Sequence, residues 1–364
     1  MGTADLVVLL AGIASIAFAF TDIFQAVIVP RAPTLSYRIS FIVWRSLWKV
    51  WPAIGKRLYP HDAARREEFF ATFAPLALIV MLITWVVVLV LGYGAVMWGL
   101  RGELAPVPRS YFDAAYFAGT SFLTIGFGDI VARQGFARFV SLCAAASGLG
   151  VVSITTAYLF ALFGTFQRRE SFIVTFAARA GSPPSAVGLY EIAAMTHTRS
   201  SLCDLMREAQ GWTAALMESH LAYPVLAFFR SSHDDQSWVG TLGALLDASL
   251  LADTMLDPEE YGEARICFSI ARHAVRDLAT FFRIGEMIAG DPGIARADFD
   301  RACKRLVAAG YALCERDEAW ERFARTRGEY AGPLNAMARF FKIPQVAWIG
   351  DGTASHAHDG PGNA

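Results

Sequence analysis

Residues 124–129 read Thr-Ile-Gly-Phe-Gly-Asp, and residues 111–123 before them read Tyr-Phe-Asp-Ala-Ala-Tyr-Phe-Ala-Gly-Thr-Ser-Phe-Leu. The longer stretch is too apolar for a loop in water. A helix of roughly a dozen residues is about 18 Å long, so it can enter a bilayer partway and leave a short segment to return. Irregular backbone at membrane depth occurs only where it is buried in protein or lines a water-filled path. The sequence therefore predicts a re-entrant helix followed by a path lined by residues 124–128.

Two glycines alternate with large apolar residues in this segment, because Gly126 and Gly128 follow Ile125 and Phe127. Successive carbonyl groups of one strand can face the same side only if alternate residues leave the usual backbone regions of L-amino acids. Glycine does this at low steric cost. A dehydrated cation needs rings of oxygen atoms in place of its water, and the Thr124 hydroxyl can add one more ring. The alternation therefore predicts that this path binds bare cations.

Two further stretches, residues 71–100 and 139–167, contain no charged side chain, and a membrane-spanning helix needs about 20 apolar residues. A third apolar run covers residues 6–30 and is interrupted only by Asp22. A cleaved signal peptide ending at the Ala-Phe-Ala of residues 17–19 is an alternative, but secretory signals begin with basic residues and this N-terminus has none. We predict three transmembrane helices.

The composition also favours a membrane protein, with 55% hydrophobic and 18% charged residues. The five cysteines are widely spaced and form no C-x-x-C pair, which argues against a disulfide framework or a zinc site. Basic residues are concentrated between positions 31 and 66, and short basic loops stay in the cytoplasm. The N-terminus and the 101–138 loop are thus expected outside and everything after Gln167 inside, as in a multi-pass protein of the plasma (inner) membrane.

The basic segment itself has the pattern of an amphipathic helix lying along the inner leaflet. Its cations share one helical line, Arg38, Arg45, Lys49 and Lys56. Its large apolar residues cover the opposite side, Phe41, Trp44, Leu47, Trp48 and Trp51. The expected partner is the lipid bilayer, with anionic lipid at the cations. The alternative is a second-layer helix packed on protein.

The hexapeptide at residues 124–129, placed between an aromatic helix and a long apolar helix, resembles the potassium channel family with one pore loop between two transmembrane helices. The resemblance covers about residues 72–166, so the N-terminal helix is an addition to it. It implies a homotetramer, since four such loops form one filter. It further implies a selectivity filter made of Thr124, Ile125, Gly126, Phe127 and Gly128, with K⁺ held by the carbonyl groups of the first four. Asp129 would brace the outer mouth, and Thr120 stands where many members have glutamate.

The inner helix contains two candidate gating glycines, since Gly148 lies where the family has a bending glycine and Gly150 is its neighbour. Glycine costs about 1 kcal/mol relative to alanine inside a helix, yet small residues also allow membrane helices to pack closely. Hinge and packing therefore both remain open. A stripe at i, i+4 spacing is expected to face the cavity, with Phe160 at a hydrophobic gate: Val152, Thr156, Phe160 and Gly164.

The C-terminal half predicts a cytoplasmic helical domain. A linker is expected at residues 181–184, and a capped helix is expected to start at residues 257–260. Further helices are expected at residues 186–210, 237–255, 295–313 and 316–342. Four arginines share a helical line and suit either an anionic ligand or ordinary salt bridges, namely Arg265, Arg272, Arg276 and Arg283. Asp22, inside the first span, is either functional or paired with the basic helix.

The fold class expected is an all-α membrane protein with three transmembrane helices, a re-entrant pore helix and filter, and a cytoplasmic helical domain. The expected domains are 1–30 (transmembrane), 31–70 (interfacial), 71–167 (pore), 168–350 (cytoplasmic) and 351–364 (disordered tail). The expected function is passive K⁺ conduction, with K⁺ as permeant ion, no other cofactor, no nucleic-acid partner and no enzymatic activity. A non-selective cation channel and a membrane-anchored sensor with a vestigial pore are the alternatives.

Overall fold

A computed structural model describes residues 2–29, 38–233, 235–256, 261–284, 293–313 and 316–350. The chain divides into two compact units, Met1–Phe163 and Gly164–Ala364. The described part of both units is helical apart from one pair of two-residue strands. The capped helix start at 257–260 and the tail at 351–364 lie outside the described residues.

The first unit contains the predicted membrane helices α1, α4 and the first part of α6, together with the three helices α2, α3 and α5 between them. Its elements are α1 Thr3–Ile23 with a π-helical turn at Phe24–Ile28, α2 Ile39–Leu58, α3 Ala63–Ala71, α4 Phe73–Gly99, β1 Leu104–Ala105, α5 Tyr111–Phe122, β2 Val131–Ala132 and the first part of α6 Gly135–Ala180. Three helical stretches in the described chain are long and apolar enough to cross a membrane, Thr3–Ile28, Ala63–Gly99 and Gly135–Ala180. The prediction of three such helices is confirmed.

Helix α1 packs directly on α4, and small residues allow the close approach. A Cβ atom added at Gly12 would lie 2.6 Å from the carbonyl oxygen of Gly92, so only glycine fits at this crossing. At the start of α1, Arg101 donates to both carboxylate oxygens of Asp5, at 2.7 and 3.1 Å. Helix α1 is therefore joined to α4 by close packing and to the segment after α4 by an ion pair.

Asp22 connects three helices near the other end of α1. It is 2% exposed and accepts hydrogen bonds from the backbone N–H of Ser40 at 3.2 Å and from the Trp85 indole at 2.7 Å. Ser40 is the second residue of α2, so this carboxylate caps the helix N-terminus, where negative charge is favoured. The guanidinium of Arg38 lies 3.8 Å away. Of the two interpretations of Asp22, pairing with the basic segment is the one this geometry supports.

The tryptophans of α2 pack on protein rather than standing free for lipid. Trp51 stacks on Phe69 with ring centroids 4.6 Å apart, and the rings of Trp44 and Trp48 lie 5.3 and 4.6 Å from Phe73. The expectation that these indoles mark the lipid-facing side is wrong, because they fill the space against α3 and the start of α4. The exposed apolar residues of α2 lie elsewhere on the helix and include Val50, Ile54 and Leu58.

The second unit is a helical domain built around one buried helix. It contains the last part of α6 and then α7 Ala186–Met195, α8 Leu202–Ala222, α9 Trp238–Met255, α10 Gly262–Phe281, α11 Arg296–Ala308, α12 Arg316–Arg327 and α13 Ala331–Phe341. Every residue of α9 except Asp253 is buried. Two predicted helices are each broken in two. The 186–210 helix is interrupted at His197, which has a positive φ of 54°, and the 316–342 helix by a turn at residues 328–330.

Buried charge in this domain is paired. Asp247 on α9 is 0% exposed and accepts hydrogen bonds from Arg327 at 2.9 Å and from the Tyr330 hydroxyl. The predicted arginine stripe on α10 is partly explained in the same way, since Arg265 pairs with Asp253 at 2.8 Å and Arg272 with Glu329 at 2.6 Å. Salt bridging therefore accounts for half of the stripe.

A second buried polar group lies where α6 enters this domain. Arg169 is 4% exposed, donates to the carbonyl oxygens of Leu226 at 2.8 Å and Phe229 at 3.0 Å, and faces His220 Nε2 at 3.4 Å. His220 Nδ1 donates to the Leu216 carbonyl at 2.7 Å. Burial, with the Arg169 charge second, lowers the pKa of His220 to about 3, so the imidazole is neutral.

The domain should lose stability on mild acidification because of His220. The pKa of this histidine is about 3 in the folded state and about 6.5 in an unfolded chain. As the pH falls below 6.5, His220 becomes protonated in the unfolded state but stays neutral in the folded state. The free energy of unfolding therefore decreases between pH 6.5 and about pH 3. The free energy of unfolding should fall by about 2 kcal/mol between pH 7 and pH 5 through this group. Chemical unfolding of the purified protein at both pH values, with His220→Gln as the control that lacks this dependence, measures the effect.

Candidate functional site

The start of the re-entrant helix α5 is fixed by its own sequence. Ser110 Oγ accepts from the Asp113 backbone N–H at 3.2 Å, and Asp113 accepts from the backbone N–H groups of Ser110 and Arg109 at 2.9 Å each. This reciprocal capping box satisfies N–H groups that a helix start leaves open. The Tyr111 hydroxyl donates to the Leu91 carbonyl at 2.8 Å. Local capping therefore sets where α5 begins, and Tyr111 fixes that end on α4.

The body of α5 lies against α4 at backbone distance. A Cβ atom added at Gly94 would lie 2.7 Å from the Ala115 Cα atom. Near the other end of α5, Phe122 is 2% exposed, and its ring lies 6.4 Å from that of Tyr93. Helix α5, the predicted re-entrant helix, is therefore packed against α4, and its C-terminal end leads to residues 124–128.

Residues 124–128 have the alternating backbone that the two glycines predict. Gly126 has a φ of 60° and Gly128 a φ of 81°, and Thr124 also has a positive φ of 57°. Ile125 and Phe127, between them, have no such φ. A positive φ is uncommon for a β-branched residue, so the sequence did not predict this backbone conformation at Thr124. The alternation therefore starts one residue pair earlier than the glycines alone indicate.

Thr120 supports this segment through its backbone. Its carbonyl oxygen accepts the N–H groups of Ile125 at 2.8 Å and Gly126 at 3.3 Å. Its hydroxyl donates to the Phe117 carbonyl at 3.0 Å within the same helix. The Thr120 side chain therefore bonds within α5, and the contact with residues 125–126 is made by the Thr120 main chain.

The outer side of the segment is braced by aromatic and backbone contacts. Phe127 stacks on Tyr116 with ring centroids 6.5 Å apart and planes 4° from parallel, and the Tyr116 hydroxyl interacts with the Asp129 carboxylate. The return strand pairs Val131 and Ala132 with residues 104–105. These contacts tie residues 127–132 to the two segments that precede them in the chain.

Glu103 links the segment after α4 to the start of α6. Its carbonyl oxygen accepts from the Arg133 N–H at 2.8 Å, and its carboxylate accepts from the Ala137 N–H at 2.8 Å. Ala137 is in the first turn of α6, where open N–H groups favour a carboxylate. No local sequence signal indicates a cap supplied from so far along the chain.

The two glycines of the inner helix have different environments. A Cβ atom added at Gly148 would lie 1.7 Å from the carbonyl oxygen of Phe122, whereas no atom of the described part of the chain, apart from the helix's own backbone, lies within 4 Å of one added at Gly150. Helix α6 is continuous through both positions. Of the two open interpretations of Gly148, close packing on the end of α5 is the one this structure supports.

The predicted cavity stripe is largely uncovered within this chain. Val152 is 57% exposed and Phe160 76% exposed, Thr156 is also exposed, and Gly164 is half-buried. The Thr156 hydroxyl donates to the Val152 carbonyl at 2.9 Å, which satisfies its polar group inside the helix. Ile125 and Phe127, in the segment 124–128, are likewise 50% and 68% exposed. These surfaces are open to other chains, solvent or lipid.

The comparison with known protein families bears on this same part of the chain. Residues 77–164, which include most of α4, all of α5 and the first part of α6, match a family model described as ion channel. The chain contains an ion-channel domain. No curated protein and no solved structure gives a significant match. The match covers α5 and the segment 124–128, and together with the three apolar helices it supports an all-α membrane protein with an ion-channel domain at residues 77–164.

Proposed function

We propose that the ion-channel domain forms a potassium-selective pore and that four copies of the chain assemble around it. One observation carries the proposal: positive φ angles at Thr124, Gly126 and Gly128 alternate with ordinary ones at Ile125 and Phe127. This alternation turns successive carbonyl groups to one side of the strand. Four such strands around one axis would provide the stacked oxygen rings that replace the hydration shell of K⁺.

Conduction in this proposal is passive. Ions enter a water-filled cavity lined by the Val152, Thr156 and Phe160 side of α6, lose water to the carbonyl groups of Thr124, Ile125, Gly126 and Phe127, and advance by mutual repulsion. The Thr120 carbonyl and the Tyr116–Phe127 stack hold the strand in register. No enzymatic step, nucleic acid or resident cofactor is part of the mechanism.

The proposed setting is the plasma (inner) membrane, with the N-terminus outside and the second unit in the cytoplasm. The basic helix α2 would lie along the inner leaflet, since Arg45, Lys49 and Lys56 are exposed and Val50, Ile54 and Leu58 form an uncovered apolar flank. Cations beside apolar side chains suit anionic lipid headgroups. The tryptophan side of α2 stays on the protein in this arrangement.

Ion flux into liposomes that contain the purified protein tests the proposal. Potassium influx driven by a potassium gradient, with an equal sodium gradient as the control, should be much the faster of the two. Equal influx of the two ions would instead identify a non-selective cation channel. Absence of flux, together with a signalling output from the second unit, would favour the membrane-anchored sensor.

Cysteine modification should locate the gate. Single cysteines at Val152, Thr156 and Phe160 should react with a charged thiol reagent added from the cytoplasmic side only when the channel is open, because a closed hydrophobic constriction excludes water and ions. A cysteine at Gly164, on the cytoplasmic side of Phe160, should react in both states. Flux measured after exposure in each state reports the reaction. A cysteine at the exposed Phe136 at the start of α6, treated from the outside, serves as the state-independent control, and equal reactivity of Val152, Thr156 and Phe160 in both states would contradict a gate near Phe160.

A further inference from the structure

The last residue of α5 is held from two sides by neighbouring helices of the first unit. Phe122 is 2% exposed, and its ring lies 6.4 Å from the ring of Tyr93 on α4. Its carbonyl oxygen meets the backbone of α6, where a Cβ atom added at Gly148 would lie 1.7 Å away. The hydrogen atom that glycine has in place of this Cβ therefore points at the oxygen, as in the weak C–H···O contacts of closely packed helices. Phe122 is thus fixed by α4 through its side chain and by α6 through its backbone.

The Tyr93 hydroxyl connects the same two helices to each other. Tyr93 is 6% exposed, and its hydroxyl oxygen lies 2.6 Å from Ser147 Oγ and 3.4 Å from the carbonyl oxygen of Cys143, both on α6. The shorter contact is the stronger hydrogen bond. Ser147 directly precedes Gly148, so the bond joins the residue that packs on the Phe122 ring to the neighbour of the residue that packs on the Phe122 carbonyl.

The bond holds the side of α6 that faces away from the predicted cavity stripe. At about 100° per residue, Ser147 lies about 140° around the helix from Val152 and about 180° from Thr156. Helix α6 is continuous through these positions. The Tyr93–Ser147 bond therefore supports α6 from behind and leaves the stripe uncovered.

The turn of α5 that ends at Phe122 also carries the segment 124–128. The Thr120 carbonyl oxygen accepts the N–H groups of Ile125 at 2.8 Å and Gly126 at 3.3 Å, and the Ser121 carbonyl oxygen accepts that of Thr124 at 3.0 Å. These backbone bonds attach the start of the segment to the two residues that precede Phe122. A displacement of Phe122 therefore moves the carbonyl groups that the proposed pore uses.

We propose that Tyr93 and Ser147 are positioning residues that set the discrimination between K⁺ and Na⁺. The inference rests on the proposed channel function and names the support of its filter. Without the bond, α6 is free to separate from Phe122, and the last turn of α5 loses its fixed position. Discrimination depends on the number and arrangement of carbonyl groups around the ion, so a segment 124–128 that is held less firmly admits more Na⁺. Both hydroxyl groups act through Phe122.

The ratio of potassium influx to sodium influx into liposomes tests the pair. Tyr93→Phe and Ser147→Ala each remove a hydroxyl group and keep the rest of the side chain. Each should lower the ratio about fivefold, since one hydrogen bond between membrane helices changes an equilibrium by about that factor. The double variant should lower it no further, because the two residues share the bond. Loss of folded protein would reduce both influxes equally and leave the ratio unchanged.

Two further serine variants make the test specific. Ser141→Ala is the matched control, since the Ser141 hydroxyl donates to the Ala137 carbonyl at 2.9 Å within α6, and its ratio should stay within about twofold of wild type. Ser147→Thr keeps the hydroxyl group and should keep the wild-type ratio. A selective wild type with unchanged ratios in Tyr93→Phe and Ser147→Ala overturns the inference alone. Equal potassium and sodium influx through the wild type overturns the channel proposal on which it rests.

Melting temperature provides the readout for any variant that no longer conducts. An ion that binds only the folded assembly raises its melting temperature by mass action, so the wild type should melt higher in potassium chloride than in sodium chloride at the same concentration. Tyr93→Phe and Ser147→Ala should lose most of this difference, and Ser141→Ala should keep it. A non-conducting variant of the pair that keeps the full difference overturns the inference.

Discussion

Alanine at position 126 is expected to abolish potassium flux while leaving the chain folded and inserted in the membrane. Gly126 has a φ of 60°, where an L-amino acid costs about 1–2 kcal/mol, and the proposed tetramer repeats that cost in four strands. Apart from its chain neighbours, none of the residues that the structure describes lies within 4 Å of an added Cβ atom. The effect should therefore come from the backbone, because a relaxed φ turns the neighbouring carbonyl away from the ion path.

The measurement is potassium influx into liposomes with equal amounts of wild-type and variant protein. Gly102→Ala is the matched control, since among the described residues other than its chain neighbours none lies within 4 Å of a Cβ atom added at Gly102, and Gly102 has no positive φ. Its flux should stay within about twofold of wild type, in line with the small effect of most surface substitutions. Normal flux through Gly126→Ala would show that the alternating backbone does not carry the ions.

Alanine at position 148 is expected to prevent stable assembly of the proposed tetrameric pore. The added Cβ atom would lie 1.7 Å from the Phe122 carbonyl oxygen and 2.8 Å from the carbonyl carbon. These are backbone atoms at the end of α5, so no side-chain rotation relieves the contact. Forcing one extra methyl group into a packed site costs typically about 1–3 kcal/mol and sometimes more, and an assembly of identical chains repeats the cost in each copy. Size-exclusion chromatography and thermal unfolding in detergent should show loss of the assembled species.

Gly150→Ala provides the comparison two residues away on the same helix. Beyond the helix's own backbone, no residue in the described ranges lies within 4 Å of its added Cβ atom, and alanine favours a helix by about 1 kcal/mol over glycine. Its melting temperature should equal or exceed that of the wild type. If the two variants melt alike, α6 does not pack on Phe122 as described, and the hinge interpretation of Gly148 would regain support.

The elements that could be predicted from sequence are those whose pattern is local and long. The charge-free runs predicted membrane helices because a span needs only length and apolarity, and Ser110 and Asp113 mark the start of α5 because a capping box is a three-residue signal. Gly126 and Gly128 predicted the alternating backbone because glycine adopts a positive φ at low steric cost. Each of these inferences depends on residues close together in the chain.

The inferences that failed depended on distant contacts. The indoles of α2 were expected to face lipid, but Phe69 and Phe73 take them into the protein. The single helix expected at 186–210 breaks at His197, since tertiary packing overrides helix propensity where two segments must pack in different directions. The capping role of Glu103 could not be predicted from the sequence, because the helix start that it caps, at Ala137, lies 34 residues further along the chain and no local pattern joins them.

By itself the sequence determined that the chain crosses a membrane and carries a glycine-alternating segment behind a short apolar helix, since both follow from composition and from the conformations each residue type allows. Only the tertiary structure decided that Thr124 shares the positive φ, that the Thr120 carbonyl rather than its side chain holds the segment, and that Gly148 packs on Phe122. These three features depend on the positions of backbone atoms that different elements bring together. A pattern of side chains along one chain does not specify those positions.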